Sequence, residues 1–285
     1  MFWFWVFLAL LLGIPLCALF YQFLGGVVDR MRYPCPGRMV EVDGYRLHMK
    51  VAGHTGPVVV LEAGIAATSL SWGLVEPHVA QFARVVTYDR DGLGWSEHSE
   101  RPADIRRLTA DLFTALESSG LFGPYLLVGH SFGGMMGVYA ACRWPMKVAG
   151  VVAADPLVPG EWKDPSPQQS LMLLRGVHLS RRGAVLARLG IVRLALDLLM
   201  LGARRLPKLI SRVSSGRGVT ETERIAGEVR KLPREVWPLV KAHWSKPKSF
   251  RAMADHLAAL PANCAATAAA LHPVDIPIVV KGLST

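Results

Sequence analysis

At 285 residues and 51% hydrophobic, the chain is long enough to bury a full-sized core, and it reads as one large α/β domain with an insertion, not two independent domains. Its four cysteines, Cys17, Cys35, Cys142 and Cys264, are scattered without CxxC or metal-ligand spacing, which excludes a disulfide framework. The formal net charge of +10 is concentrated in residues 156–271, which hold 19 Lys and Arg against 8 Asp and Glu; the rest of the chain is nearly balanced.

From Met1 to Val28 the run "MFWFWVFLALLLGIPLCALFYQFLGGVV" carries one strongly polar side chain, Gln22. It is apolar and long enough to cross a bilayer as a helix. Trp3 and Trp5 precede its aliphatic stretch and Tyr21 follows it. Trp3 to Tyr21 spans about 27 Å at the helical rise, close to a hydrocarbon core of ~30 Å, so the aromatics fall at both interfaces. No basic segment precedes the run and no A-x-A site closes it, which argues for an uncleaved anchor over a signal peptide. Leu16 before Cys17 is too large for a lipoprotein signal. Arg30, Arg32 and Arg38 follow the span, so the positive-inside rule puts the globular part in the cytoplasm. Cys35, just past the span, is read as an inert thiol ahead of an acylation site.

A Pro/Gly linker over residues 29–37, containing "YPCPG", leads to "MVEVDGYRLHMKVAG", in which two alternating runs flank Asp43-Gly44 and predict a β-hairpin. Beyond it, "PVVVLEAG", "ARVVTYDR", "PYLLVGH" and "VAGVVAADP" are short buried-strand runs separated by helical stretches. That alternation predicts a mostly parallel, doubly wound sheet over residues 38–155, with its chemistry at the carboxyl ends of the strands. Residues 156–271 break the rhythm with helical runs, among them "SLMLLRGVHLSRRGAVLARLGIVRLALDLLMLGARRL" and "ETERIAGEVRKLPREVWPLVKAHW", and predict a helical cap. A last core strand, "IPIVV", falls within residues 272–285.

Gly129-His130-Ser131-Phe132-Gly133 is a G-x-S-x-G sequence between an apolar strand and the small-residue helix "FGGMMGVYAACRW". The strand-to-helix turn strains the serine backbone, the flanking glycines accommodate the close approach, and the helix N-terminus favours negative charge developing in acyl transfer. Together with "LEAGIAATSLSW" (61–72) and "YDRDGLGWSE" (88–97), the elbow resembles the α/β-hydrolase superfamily, in particular its membrane-anchored serine hydrolases, over roughly residues 38–155. The resemblance implies Ser131 as nucleophile and an oxyanion hole made by the backbone N–H groups of Phe132 and Ile65. Many relatives have His-Gly where this chain has Ala63-Gly64. Asp89, Arg90, Gly92, Gly94 and Ser96 are expected to shape a turn beside the site, and His130 to pack beneath the elbow. Epoxide hydrolases and haloalkane dehalogenases of the superfamily carry a carboxylate at the nucleophile position; serine points to an acyl-enzyme and a carboxylic ester hydrolase type of reaction.

In this fold an acid and then a histidine follow the serine. Asp155, ending "VAGVVAADP", is either that acid or a structural strand-end aspartate. The later histidines are His178, His243, His256 and His272; three lie in or near helical runs of the cap, and His272 precedes the last strand, at the wrong end of the sheet. The family's histidine follows one further strand, so the chain reads as shortened at its C-terminus relative to the family. The expected function is a membrane-bound serine hydrolase acting on a small lipophilic ester or acyl substrate. The alternative is an inactive relative binding a lipid or a protein partner. The resemblance calls for no cofactor, no metal-ligand spacing is present, and no recognised motif points to nucleic acid.

Overall fold

The computed structural model describes residues 1–200 and 234–282. The helical readings between 201 and 233, including "ETERIAGEVRK", lie outside the described residues. The chain forms two compact units, one of Cys35–Arg181 with Arg251–Thr285, the other of Met1–Pro34 with Arg182–Phe250. The range expected to form the cap is thus divided between them.

In the larger unit Asp43 and Gly44, at φ 45° and 85°, close the predicted hairpin between β1 (Arg38–Val42) and β2 (Tyr45–Ala52). Positive φ at both central residues matches the right-handed twist of the flanking strands. β3 (Val58–Glu62), β4 (Arg84–Tyr88), β5 (Tyr125–His130), β6 (Val148–Ala154) and β7 (Ile278–Lys281) are the apolar runs of the sequence. They complete a seven-stranded sheet in the order β1-β2-β4-β3-β5-β6-β7, parallel from β4 to β7 and antiparallel through β1 and β2.

The stretch around Trp72 to Phe82 forms a 3₁₀ turn and the one-turn helix α2 (Glu76–Val79), with Pro77 in its first turn. α3 (Ile105–Ser118) is capped by the Asp104 carboxylate, which accepts a hydrogen bond from the Arg106 N–H at 2.8 Å. α4 (Phe132–Arg143) follows the elbow, and α5 (Pro159–Trp162) follows β6. Every residue of β3 is buried, as a central parallel strand requires. Val58 and Val60 join the core made with α3 and α4, while Val59 and Leu61 pack with Trp72 on the opposite face. The sheet is less covered toward β7: Val152 is 40% and Val280 62% exposed.

α6 (Pro167–Arg188) and α9 (Pro247–Ala270) each run from one unit into the other, while α7 (Ile191–Met200) and α8 (Trp237–Trp244) belong to the smaller unit with α1 (Phe2–Arg32). α1 continues four residues past Val28, because no proline follows Pro15 until the Pro34 and Pro36 pair. It is the one described helix long and apolar enough to cross a membrane.

Candidate active site

β5 and α4 meet at Ser131, whose backbone is at φ 54° and ψ −117°, a conformation that L residues rarely adopt. Such strain persists only where the surroundings over-determine it. Here the Ser131 N–H donates to the Ala154 carbonyl at 3.1 Å, and the Ser131 carbonyl accepts from Leu157 at 3.1 Å and Met135 at 3.2 Å. The turn is therefore stitched to the end of β6 and to the first turn of α4.

The elbow glycines are required by close approach. A side chain at Gly129 would collide with the backbone of Gly133, and one at Gly133 with the carbonyl of Glu62. A Cβ on Gly134 would stand 2.9 Å from Pro156.

The loop after β3 faces the serine. A Cβ on Gly64 would lie 3.5 Å from Ser131 Cβ, so this loop and the elbow come together. A tight turn closes from the Ala67 N–H to the Gly64 carbonyl at 3.2 Å, with Ala66 at φ 57° and Ile65, the expected donor, half-buried within it. The Arg90 guanidinium holds this loop from below: it donates to the carbonyls of Ala63, at 2.6 Å, and Gly64, and pairs with the buried Glu62 carboxylate. Burial pushes the Glu62 carboxyl above the usual carboxylate range, against the opposing pull of Arg90 and the Tyr88 hydroxyl. Arg90 also lies over the Phe132 ring, 5.2 Å from its centroid.

Arg90 was read from sequence as a turn residue; its hold on the Ala63-Gly64 loop was missed, as was Glu62. The signal available was a glutamate ending a buried apolar strand, a place where a carboxylate needs a cation. Asp89 does shape the turn. Its carboxylate accepts from the Ser69 N–H at 2.8 Å and the Trp95 N–H at 3.0 Å, and lies 2.8 Å from Nδ1 of the buried His48. Ser96 Oγ donates to the Asp89 carbonyl.

Asp155 stands at φ 45° at the carboxyl end of β6, between Ala154 and Leu157, both of whose backbones bond to Ser131. Its own N–H donates to the Lys281 carbonyl at 2.7 Å, and its side chain is exposed. His130 is exposed rather than packed beneath the elbow, because it is the last residue of β5 and its side chain emerges beside Gly64, with Nδ1 3.1 Å from where a Cβ there would stand.

Of the later histidines, His178 is exposed on α6, and His272 is exposed before β7, near the amino ends of the strands. His243 is buried on α8 in the smaller unit. His256 comes nearest the elbow: it is buried on α9, edge-on to the Phe132 ring at 5.5 Å between centroids. Burial pushes its pKa down to about 3, and neither ring nitrogen has a hydrogen-bond partner among the described residues. A group so poorly basic is ill-suited to take a proton near neutrality. Among the described residues no histidine is hydrogen-bonded to Ser131, and no cluster of His, Cys, Asp or Glu has the geometry of a metal site.

The comparisons with known proteins agree with this geometry. The family model described as "alpha/beta hydrolase fold" matches residues 57–239. Epoxide hydrolase A of Mycobacterium tuberculosis is 35% identical over 120 residues, 41% of this chain and 37% of that protein. The chain spans less than half the length of the curated relatives it matches. Among solved structures, the epoxide hydrolase CorEH superposes with a TM-score of 0.63 at 22% identity, over 86% of this chain and 81% of its own. The enol-lactonase of Burkholderia xenovorans LB400 superposes with a TM-score of 0.53 at 19% identity, over 85% and 80%. At these identities the two structures show the fold alone. With the family model covering more than half of its length and the strand order and elbow in place, this chain belongs to the α/β-hydrolase family.

Proposed function

We propose that the protein is a serine hydrolase that cleaves a small lipophilic ester or related acyl substrate through an acyl-enzyme and is anchored to a membrane by α1. The observation that carries the reading is Ser131 held at φ 54° opposite the Gly64 turn. Ser131 Oγ attacks the acyl carbonyl, and the negative charge moving onto its oxygen falls to the N–H groups of Phe132 and Ile65 at the start of α4 and in the Gly64–Ala67 turn. The acyl–oxygen bond of the ester breaks and the alcohol leaves with the proton given up by Ser131; water then attacks the acyl-enzyme, releasing the acid and returning a proton to Ser131 Oγ. This chemistry draws on no cofactor or metal. The epoxide hydrolases among the relatives are similar in fold, but a serine at position 131 favours acyl transfer over the alkyl-ester chemistry of a carboxylate nucleophile. Asp155 is the acid of this reading. The arginines after α1 favour a cytoplasmic hydrolase unit.

One observation favours a second reading, a non-catalytic member that binds a lipid or a partner: His256, the histidine nearest the elbow, is a poor base. Labelling of the full chain by a fluorophosphonate probe, compared with Ser131→Ala, decides between them. Ser131-dependent labelling together with ester hydrolysis that falls by on the order of 10⁴ to 10⁶ in the variant supports the enzyme. No labelling and no hydrolysis by the unsubstituted chain supports the second reading.

A further inference from the structure

α1 is more than a tether. Its 31 residues span about 46 Å, well beyond a hydrocarbon core of ~30 Å. Its second half docks in the smaller unit through one face. Gln22 Oε1 accepts from Arg193 Nε of α7 at 3.0 Å, and Gln22 Nε2 donates to the Ser245 carbonyl at 2.8 Å. The buried Asp29 carboxylate meets the buried Arg193 guanidinium at 2.7 Å. The Tyr21 hydroxyl donates to Asp197 of α7 at 3.0 Å, and Lys241 of α8 donates to the same carboxylate at 2.6 Å. Gly25 has no side chain because Arg193 crosses the helix there, and Gly190 packs 2.9 Å, measured from its missing Cβ, against Tyr21.

The opposite face of the same turns is apolar and exposed: Phe20, Phe23, Leu24 and Val28. On α7, Ile191 and Leu194 are exposed likewise, while Arg193 and Asp197 between and beyond them are spent on α1 and α8. We propose that α1 and α7 enter the bilayer as one body, with these apolar residues against lipid acyl chains and the Gln22–Asp29–Arg193 clamp closed between the helices. The proposal rests on α1 being a membrane anchor, as in the function proposed above.

Three observations select lipid as the occupant. The exposed stripe lies on the same helix as the apolar span that begins at Phe2. On the docked face Tyr21 and Gln22 are hydrogen-bonded and Asp29 is ion-paired inside the unit, as polar groups at membrane depth require. The apolar stripe runs the length of the docked half, more than a water-facing helix of a soluble monomer exposes. Arg193 is the keystone of the clamp, since it holds both Gln22 and Asp29.

The test places an environment-sensitive fluorophore, one position at a time, at Leu12→Cys, Ile191→Cys and Leu194→Cys in the full chain carrying Cys17→Ala and Cys35→Ser, reconstituted in phosphatidylcholine vesicles. Quenching by doxyl-labelled lipid is compared with quenching by aqueous iodide. Lipid quenching at all three positions, with loss at 191 and 194 alone in Arg193→Ala and recovery in the exchanged pair Asp29→Arg with Arg193→Asp, supports the proposal. Lipid quenching at 12 with iodide quenching at 191 and 194 overturns it and leaves α1 a lone anchor. So does quenching by neither reagent at 191 and 194, the sign of a second copy or a protein partner on this face. Lipid quenching at 191 and 194 that survives Arg193→Ala and the exchange removes the clamp from the proposal and so overturns it. No lipid quenching at position 12 overturns the anchor reading itself, and the proposal with it.

Discussion

The two halves of the candidate site are built differently. Around β3, β4 and the loop before the elbow, Glu62, Asp89 and Arg90 are buried and paired. Arg90 joins Glu62 to two loop carbonyls, Asp89 holds two backbone N–H groups and His48, and Ser131 is fixed by three backbone hydrogen bonds. Around the ends of β5, β6 and β7, the side chains of His130, Asp155, Val279 and Val280 are exposed. The side with the Gly64 turn is pre-organised by its own packing, whereas the side with Asp155 owes its position to backbone alone. Substitutions on the first side are therefore expected to cost folding stability, and on the second to cost activity while leaving the fold intact.

The largest expected effect falls on the exposed side. With Asp155 as the acid of the proposed reaction, Asp155→Asn lowers kcat/KM for an activated ester by about 10⁴. Because the carboxylate is exposed, the urea midpoint of the variant should stay that of the parent, as for surface substitutions in general. An unchanged kcat/KM would make Asp155 a structural strand-end residue and erase the contrast.

On the buried side Arg90→Met should lose about 3–5 kcal/mol in urea unfolding, because it leaves the Glu62 carboxylate without its cation and two loop carbonyls without their donor. Gly133→Ala comes next, at about 3 kcal/mol. The new methyl would press on the carbonyls of Glu62 and Ala63, and backbone yields less readily than a side chain. Stability of either variant close to the parent would mean that the loop beneath the elbow is looser than its contacts imply.

Much of the larger unit was legible in the sequence, for reasons that lie in particular residues. Asp43-Gly44 forces one turn geometry, so the hairpin followed. A run such as "VVVLE" is apolar on both faces, which only a central parallel strand accommodates, and Ser131 between glycines is the product of a steric constraint that few other residues satisfy. Long-range pairings were not legible. That Arg90 reaches under the Gly64 turn, that Arg193 meets Gln22 and Asp29 across more than 160 positions, and that His256 arrives beside Phe132 depend on how helices and loops pack, and no local pattern encodes that. The exposure of His130 belongs to the same class. Its place at the end of β5 beside the Gly64 loop decides it, and the G-x-S-x-G pattern is silent on that loop.

His256 offers the last and smallest test of the contrast, through pH. Its ring is buried against Phe132, and its native pKa is depressed to about 3 against ~6.5 for an unfolded histidine. A depressed native value means that the stability it permits is fully present above the unfolded pKa. It is lost as the pH falls from there toward the native value, since only the unfolded chain takes up the proton. The slope is about 1.4 kcal/mol per pH unit, so between pH 7.5 and 5.0 the parent should lose about 2 kcal/mol more than His256→Phe, whose ring keeps the contact with Phe132. Urea unfolding of both proteins at the two pH values measures it. Equal losses would show that His256 takes up its proton in the folded protein, which would place water or a carboxylate beside it. That would return it to consideration as the partner of Ser131.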